Sequence, residues 1–178
     1  LPDVNERVRL ATEIGKIKRA QGNDVYNPAR EAEILDRITA MNRGPLDASS
    51  IHFIYREVIS AATALQKQLV VAYLGPEATF THQAAIKNFG SSLEYRPLNT
   101  IVDVIIDVER GDADYGVFPI ENSTGGSVNN SQEILADTDL KIISQVYLKV
   151  EHCLISNTPL EEIRAVYSKD QAFNQCRD

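Results

Sequence analysis

The apolar residues of this 178-residue chain change their spacing at residue 70. Up to that point they recur every three or four positions, the spacing of one face of an α-helix, whereas "VVAYL" at 70–74 is a continuous apolar run that ends at a Gly-Pro turn. Short apolar runs then alternate with helical patterns, which is typical of a mostly parallel sheet covered by helices. The sequence therefore predicts two domains, an all-α domain at 1–69 and an α/β domain at 70–178.

The first domain is predicted to contain three helices. The first runs from the start of the chain to about Ala20, the second begins at Asn27-Pro28, and the third runs from after Asp47 to about Leu69. The apolar stripes expected to face the core are Val4, Val8, Ala11 and Ile14 on the first helix, Ile34, Leu35, Ile38 and Met41 on the second, and Ile51, Ile54, Val58, Ala61 and Leu65 on the third.

Five strands and four helical patterns are predicted in the second domain. The strands are expected at 70–74, near "EYRPL" (94–98), at "YGVFPI" (115–120), at "KIISQVYLKV" (141–150) and at "AVYS" (165–168). Helices are expected at 78–89, from a Thr100 cap to about Glu109, at 127–136, and from the start "QAFNQC" at 171–176.

Charge and composition exclude several classes of function. The net charge is −7; residues 1–69 hold ten Lys and Arg against nine Asp and Glu, and residues 70–178 hold eight against sixteen. Such an acidic chain is a poor nucleic-acid binder, so an anionic ligand would have to be held by a few local cations or backbone N–H groups. No apolar run approaches the ~18 residues of a membrane span, so neither nucleic acid nor a membrane is predicted as a partner.

The cysteines and histidines predict neither a metal site nor a cofactor. Cys153 and Cys176 have no metal-site spacing, and neither His82 nor His152 belongs to a ligand cluster. Two cysteines without a signal-peptide pattern favour a reduced, cytoplasmic protein. Both ends of the chain lie inside helical patterns, which favours a fragment of a longer chain.

Charged and amide side chains interrupt the apolar stripes of the first domain. Arg7 and Lys18 lie on the core face of the first helix, roughly 16 Å apart, and Glu31 lies in the stripe of the second with Arg30 at its edge. Gln66 lies beside the stripe of the third helix. A buried charge is costly unless it is paired, so one alternative is that a cation pairs with Glu31 or extends to solvent. The other is a pocket for an anionic ligand, whose carboxylates an Arg can bind bidentately.

These segments, "NERVRLATEIGKIK", "VYNPAREAEIL" and "FIYREVISAATALQKQL", resemble the all-helical chorismate mutases over residues 4–69. The resemblance implies an interlocked helical homodimer that converts chorismate to prephenate by a Claisen rearrangement. It also implies that Arg7 and Arg30 bind the two carboxylates, that Lys18 and Gln66 donate to the ether oxygen, and that Glu31 meets the ring hydroxyl. Asn27, where some members have Asp, either bonds a hydroxyl or only caps its helix. Such a reaction requires positioning and charge stabilisation but no nucleophile.

Polar side chains also follow three predicted strands of the second domain. They occur in "GPEATFT", with Thr79 and Thr81, in "PIENSTGG", with Glu121, Asn122 and Ser123, and in "SKDQAFNQ", with Ser168, Gln171 and Gln175. Ligands of open α/β sheets bind outside the carboxyl ends of the strands. Each group alone is better explained by a turn, a helix cap or a solvated helix face, but three together favour a small anionic ligand.

"AYLGPEATFTHQAA", "GVFPIENSTGGSV" and "VYSKDQAFNQC" resemble the prephenate dehydratase domain. The resemblance implies a fold of the periplasmic-binding-protein type, with two α/β lobes around a cleft that those eight residues line, Thr79 and Thr81 near its first loop. Glu121 either faces the departing ring hydroxyl or braces the N–H groups of its own loop.

Mutase followed by dehydratase is the layout of the bifunctional enzymes of phenylalanine synthesis. The family also has an earlier start to its first helix, a later Thr-Arg-Phe motif and an ACT-type regulatory domain, which are not present in these 178 residues. Two rival interpretations remain at this point: a transcription regulator with a helix-turn-helix in residues 1–69, and a module that binds an aromatic amino acid or small carboxylate without catalysis.

Overall fold

In a computed structural model, which describes residues 1–22, 26–122, 126–127, 129–168, 172–173 and 176, the chain begins with three helices. They are α1 (Pro2–Ala20), α2 (Pro28–Met41) and α3 (Ala48–Gln66). The predicted caps are confirmed, because the side chain of Asn27 accepts the N–H of Arg30 and that of Asp47 accepts the N–H of Ser50. The third helix ends three residues earlier than predicted.

Contacts along α3 fix the direction of α1. The guanidinium carbon of Arg7 lies 5.9 Å from the ring centre of Tyr55. Further along both helices, Gly15 packs against the side chain of Gln66. The later residue of α1 contacts the later residue of α3, so the two helices run in the same direction.

The second helix runs the opposite way. Glu31, near its start, lies 3.7 Å from Arg56, whereas Thr39, near its end, has its hydroxyl 3.0 Å from Nε2 of the earlier residue His52. The end of α1, the start of α2 and the end of α3 consequently lie at one end of the helical unit.

The buried face of α3 differs from the predicted stripe. Its fully buried residues are Ile51, Ile59, Ser60, Ala62 and Thr63. Of the predicted stripe, Ile51 is buried, but Ile54 and Leu65 are 48% and 68% exposed. Apolar side chains surround most of this helix, so their spacing could not show which face meets the rest of the chain.

The other two stripes were partly wrong as well. Val4, Ile14 and Met41 are exposed, while Leu35 is buried. The covered face of α1 contains the buried Gly15, together with partly buried residues that include Arg7 and Lys18. The two cations therefore lie on the covered face, as the sequence predicts, although two of the apolar residues assigned to that face do not.

The second part of the chain contains a small parallel sheet. Its elements are β1 (Val70–Leu74), α4 (Phe80–Phe89), β2 (Glu94–Leu98), α5 (Ile101–Glu109) and β3 (Tyr115–Val117). The strand order is β2-β1-β3, with both pairings parallel. Two strands, β1 and β2, and the Thr100 cap of α5 are confirmed as predicted.

Two boundaries moved for local reasons. Helix α4 begins at Phe80 rather than Ala78, because Ala78 has φ +64, a left-handed conformation that no α-helix contains. Strand β3 ends at Val117 rather than Ile120, in keeping with Pro119, which has no backbone N–H to continue the ladder.

Helices cover both faces of the sheet. Successive residues of β1 point to opposite sides, and each side meets a different helix. Val71 belongs to a cluster with Ala85 and Phe89 of α4, while Ala72 belongs to a cluster with Val104 of α5. The first cluster also contains Tyr26, from the segment before α2, so one side chain of the helical part completes the core beside the sheet.

Of the remaining predictions for the second domain, the helix at 127–136 is confirmed and two strands are wrong. Short strands β4 (Glu121–Asn122) and β5 (Gly126–Ser127) pair antiparallel, and α6 begins only at Asn129 (Asn129–Ala136). The strands predicted at 141–150 and 165–168 are not formed; a strand requires a hydrogen-bonded neighbour, and these described segments belong to neither sheet. A 3₁₀ turn occupies Leu160–Glu162. The helix predicted from 171 lies mostly outside the described residues.

Candidate active sites

The first candidate site lies where α1 ends and α2 begins. Lys18 and Gly15 are one turn apart on the covered face of α1, and Gly15 contacts Gln66. The two proposed donors, Lys18 and Gln66, are thereby brought to the same end of the helical unit. Glu31, near the start of α2, lies beside Arg56, ten residues before Gln66 on α3.

Gly15 is needed for this arrangement, and the sequence interpretation missed it. A Cβ on Gly15 would lie 2.2 Å from Oε1 of Gln66, so a larger residue would displace the amide. The amide also donates from Nε2 to the carbonyl of Ala62, at 3.1 Å. A glycine inside a helix costs about 1 kcal/mol relative to alanine, and this unfavourable placement was the available signal of close approach.

We expect Gly15→Ala to lower mutase turnover about ten-fold, equivalent to about 1.4 kcal/mol of transition-state stabilisation, by moving the Gln66 amide. Stability should change by no more than about 1 kcal/mol, because alanine favours the helix. The measurement is chorismate turnover in Gly15→Ala, Gln66→Ala and the double variant. If the glycine acts through Gln66, the double variant should be no slower than Gln66→Ala; additive losses would contradict this.

The side chain of Glu31 is mostly buried beside Arg56. Its side chain is 13% exposed, and its Oε2 lies 3.7 Å from the Arg56 guanidinium. Burial raises the pKa of the Glu31 carboxyl to about 7, and the Arg56 charge opposes part of that rise. The sequence interpretation missed Arg56, which lies among the helical residues of "FIYREVIS" without a distinguishing motif.

The other cation and amide candidates lie further out. Arg7 is eight residues before Gly15, about 12 Å along α1, with its guanidinium over Tyr55. The exposed Arg30 donates to Glu33 at 2.7 Å, and the side chain of Asn27 accepts the Arg30 N–H at 2.9 Å. Thus the structure brings Lys18 and Gln66 to one end, places Arg7 and Glu31 beside the neighbouring residues Tyr55 and Arg56 of α3, and shows Arg30 pointing to a neighbour on its own helix.

The second candidate site lies at the carboxyl edge of the parallel sheet. From β1 the chain crosses through α4 to β2 on one side, then through α5 to β3 on the other, so the connections diverge between β1 and β3. A crevice at such a point is where ligands of open α/β sheets bind. The loop with Thr79 follows β1 and the loop with Glu121 follows β3, so the two loops are neighbours.

Thr79 is engaged in the turn that starts α4. Its hydroxyl donates to the carbonyl of Pro76, at 3.0 Å, and accepts the N–H of His82, at 3.3 Å. The His82 ring stacks on Tyr73, with ring centres 4.6 Å apart. Thr79 therefore acts as a helix cap in this structure, and Thr81 is partly buried in the first turn of the same helix.

A buried hydroxyl group binds the backbone just before Glu121. Ser131, at the start of α6, is fully buried and donates to the carbonyl of Pro119 at 2.8 Å. Glu121 itself is exposed and lies opposite Ser127 in the short β4–β5 pair. Its carboxyl is thus presented to solvent at the mouth of the crevice.

The remaining candidates are less defined. The backbone of Asn122 pairs with Gly126, and Ser168 is exposed. Ser123, Gln171 and Gln175 lie outside the described residues. Where the structure describes the chain, no three His, Cys, Asp or Glu side chains are grouped as a metal site requires, and no helix combines the length and apolar composition that crossing a membrane demands.

Comparison with known families gives two matches that do not overlap. Prephenate dehydratase matches residues 71–178, and chorismate mutase type II matches residues 3–67. The chain belongs to the prephenate dehydratase family. Its helical part is a chorismate mutase type II domain, which precedes the dehydratase domain and its small parallel sheet. The resemblance to both families noted in the sequence is confirmed.

Relatives of the whole chain carry both names. Proteins named bifunctional chorismate mutase/prephenate dehydratase from Aquifex aeolicus and Neisseria gonorrhoeae are 42% and 43% identical to it, each over 98% of this chain and over 49% and 48% of their own lengths. The protein of that name from Escherichia coli is 32% identical over 96% of this chain and 49% of its own length. The chain therefore spans about half the length of the curated relatives that it matches.

Proposed function

We propose that the protein belongs to phenylalanine biosynthesis, where its helical domain (1–69) rearranges chorismate to prephenate and its α/β domain (70–178) serves the dehydration and decarboxylation of prephenate to phenylpyruvate. The observation that supports this most is the contact of Gly15 with Gln66, which places the Gln66 amide one helical turn from Lys18, while Glu31 lies beside Arg56 on the same helix as Gln66. Two N–H donors and a carboxyl group suit a pericyclic reaction, which requires charge stabilisation at the breaking ether bond but no nucleophile.

In the mutase site, Lys18 and Gln66 donate to the ether oxygen, Glu31 accepts from the ring hydroxyl, and Arg7 and Arg30 bind the carboxylates. Arg30 has to leave Glu33 to do so, which costs little because that ion pair is exposed. Asn27 has the capping role that its hydrogen bond to Arg30 supports.

In the dehydratase site, the crevice between the ends of β1 and β3 receives prephenate. Its fold is of the periplasmic-binding-protein type, with Thr79, Thr81, Asn122, Ser123, Ser168, Gln171 and Gln175 lining the cleft. The exposed position of Glu121 supports a role toward the departing hydroxyl rather than toward buried N–H groups.

A second copy of the chain covers the helical domain, forming an interlocked homodimer. The support is a set of exposed apolar side chains on α1 and α3 that water would otherwise surround: Leu10, Ile14, Ile17, Phe53 and Leu65. Sedimentation equilibrium over a range of concentrations measures this association. The protein works in the cytoplasm, in keeping with its exposed free cysteines, Cys153 and Cys176.

The test follows both products from chorismate in protein extended to the length of its curated relatives. Loss of chorismate reports the mutase, and the absorbance of phenylpyruvate in alkali reports the dehydratase. Unchanged chorismate would contradict the proposed mutase, and prephenate that accumulates without phenylpyruvate would contradict the proposed dehydratase.

We expect Glu121→Gln to lower phenylpyruvate formation about ten-fold while chorismate turnover stays the same, because the amide keeps the shape of the side chain but cannot transfer a proton at neutral pH. The matched control is Glu133→Gln, an exposed glutamate on α6. Equal rates in the two variants would show that the Glu121 carboxyl takes no part in the reaction.

A further inference from the structure

The last turn of α4 and the loop after it receive polar contacts from three residues of α3. Nη1 of Arg56 donates to the carbonyl of Asn88, at 2.5 Å. The Glu57 carboxylate accepts from the N–H and the hydroxyl of Ser91, at 3.1 and 2.5 Å. One turn later, the hydroxyl of Ser60 accepts the N–H of Ser92, at 3.2 Å. Helix α3 of the mutase domain thus contacts residues 88–92 of the dehydratase domain.

Tyr26 makes the reciprocal contact. It is 6% exposed, and its ring centre lies 5.0 Å from that of Phe89 and 5.1 Å from that of Tyr115. Its hydroxyl accepts from Nδ2 of Asn88, at 3.3 Å. Because the next residue, Asn27, caps α2, the dehydratase core also fixes the point where α2 begins.

We propose that Arg56 is a positioning residue of the mutase site, through which the end of α4 in the dehydratase domain holds the carboxyl group of Glu31 in place. The inference rests on the proposed mutase function. One guanidinium reaches both groups, the Asn88 carbonyl at 2.5 Å and Oε2 of Glu31 at 3.7 Å.

An arginine suits this position for two physical reasons. Asn88 lies in the last turn of α4, where carbonyl groups lack partners within the helix and carry partial negative charge. A planar guanidinium offers five N–H donors in a fixed arrangement, so it can bond that carbonyl and still face a carboxylate. A lysine in its place keeps the charge but loses that geometry.

The surroundings of Glu31 give the proposal a direct readout. Arg56 faces the carboxyl from α3, and the Tyr26 hydroxyl interacts with it from the segment before α2. Removing the cation takes away an interaction that favours the carboxylate, so the midpoint of the Glu31 titration should move to higher pH. A purely structural arginine would change stability without moving this midpoint.

The experiment titrates the Glu31 carboxyl carbon by NMR and measures chorismate kcat/KM against pH in Arg56→Gln and Arg56→Lys. The matched control is Arg37→Gln, an exposed arginine of α2. In Arg56→Gln we expect the midpoint to rise by about one pH unit and kcat/KM to fall about ten-fold, mainly through KM. Arg56→Lys should keep the midpoint near that of the wild type but lose part of kcat/KM, and the control should change neither.

A glycine pair tests the contribution of the dehydratase domain. A Cβ on Gly90 would lie 2.4 Å from Cβ of Ser60, which would push the loop away from α3, whereas a Cβ on Gly111 would meet nothing within 4 Å. Both glycines have positive φ, +78 and +75, so alanine strains the backbone at both positions. We expect Gly90→Ala to raise KM for chorismate several-fold, and Gly111→Ala to leave KM unchanged.

Three results would overturn the proposal. An unmoved Glu31 midpoint in Arg56→Gln would show that the two groups are not coupled. A moved midpoint with unchanged kcat/KM would show that the coupling does not serve the site, and equal KM values in Gly90→Ala and Gly111→Ala would remove the dehydratase domain from it. If the wild-type protein leaves chorismate unchanged, the proposed function itself fails, and the NMR midpoint still reports whether Arg56 and Glu31 interact.

Discussion

Lys18→Ala should lower the kcat for chorismate about 10²- to 10³-fold, the usual loss when one transition-state donor is removed. The reason is the position of Lys18 on the covered face of α1, one turn from Gly15 and the Gln66 amide. As the ether bond breaks, negative charge develops on its oxygen, and an ammonium group placed there stabilises that charge without having to move.

The matched control is Lys16→Ala, which removes an exposed lysine from the same helix. Both variants should unfold at temperatures close to that of the wild type, because neither lysine fills the core. Turnover that falls equally in both variants, or in neither, would contradict the assignment of Lys18.

The second large effect concerns the pH dependence of stability. The pKa of Glu31 is about 7 in the folded protein and close to 4.5 in an unfolded chain, so the folded state binds this proton more tightly. The stability that Glu31 contributes is therefore fully present below about pH 4.5 and is lost as the pH rises to about 7. Relative to Glu31→Gln, the free energy of unfolding of the wild type should fall by on the order of 3 kcal/mol across this range.

The measurement is urea unfolding of both proteins at several pH values. The difference between their free energies of unfolding is plotted against pH, so that the titrations of all other groups cancel. Glu33→Gln serves as the control, because its side chain is exposed on the same helix. A difference between wild type and Glu31→Gln that does not vary with pH would show that the Glu31 carboxyl titrates normally.

Sequence patterns predicted the local features of the fold well. The Asn27 and Thr100 caps and the strands β1 and β2 were assigned correctly, because each depends on a few neighbouring residues. A cap needs one side chain near three N–H groups, and a buried strand needs a short apolar run that ends at a turn.

Features that depend on distant residues could not be predicted in this way. The carbonyl that binds Arg56 lies 32 residues away, and Tyr26 meets a ring 63 positions later in Phe89. The exposed face of α3, with Leu65, looks as apolar as its buried face. Strands predicted at 141–150 and 165–168 required partners that local patterns do not provide, and in these described segments the backbone joins no sheet.

The burial of Tyr26 has a consequence for how such a gene can be divided. A split between residues 69 and 70 appears natural on the linear map, yet it separates this tyrosine from Phe89 and Tyr115, the rings that it packs against. Without Tyr26, the core beside the sheet would contain a gap of the size of an aromatic ring. On the helical part, the ring of Tyr26 would be exposed to water. Splitting the chain at this point would therefore destabilise both parts, although the boundary falls between the two family matches.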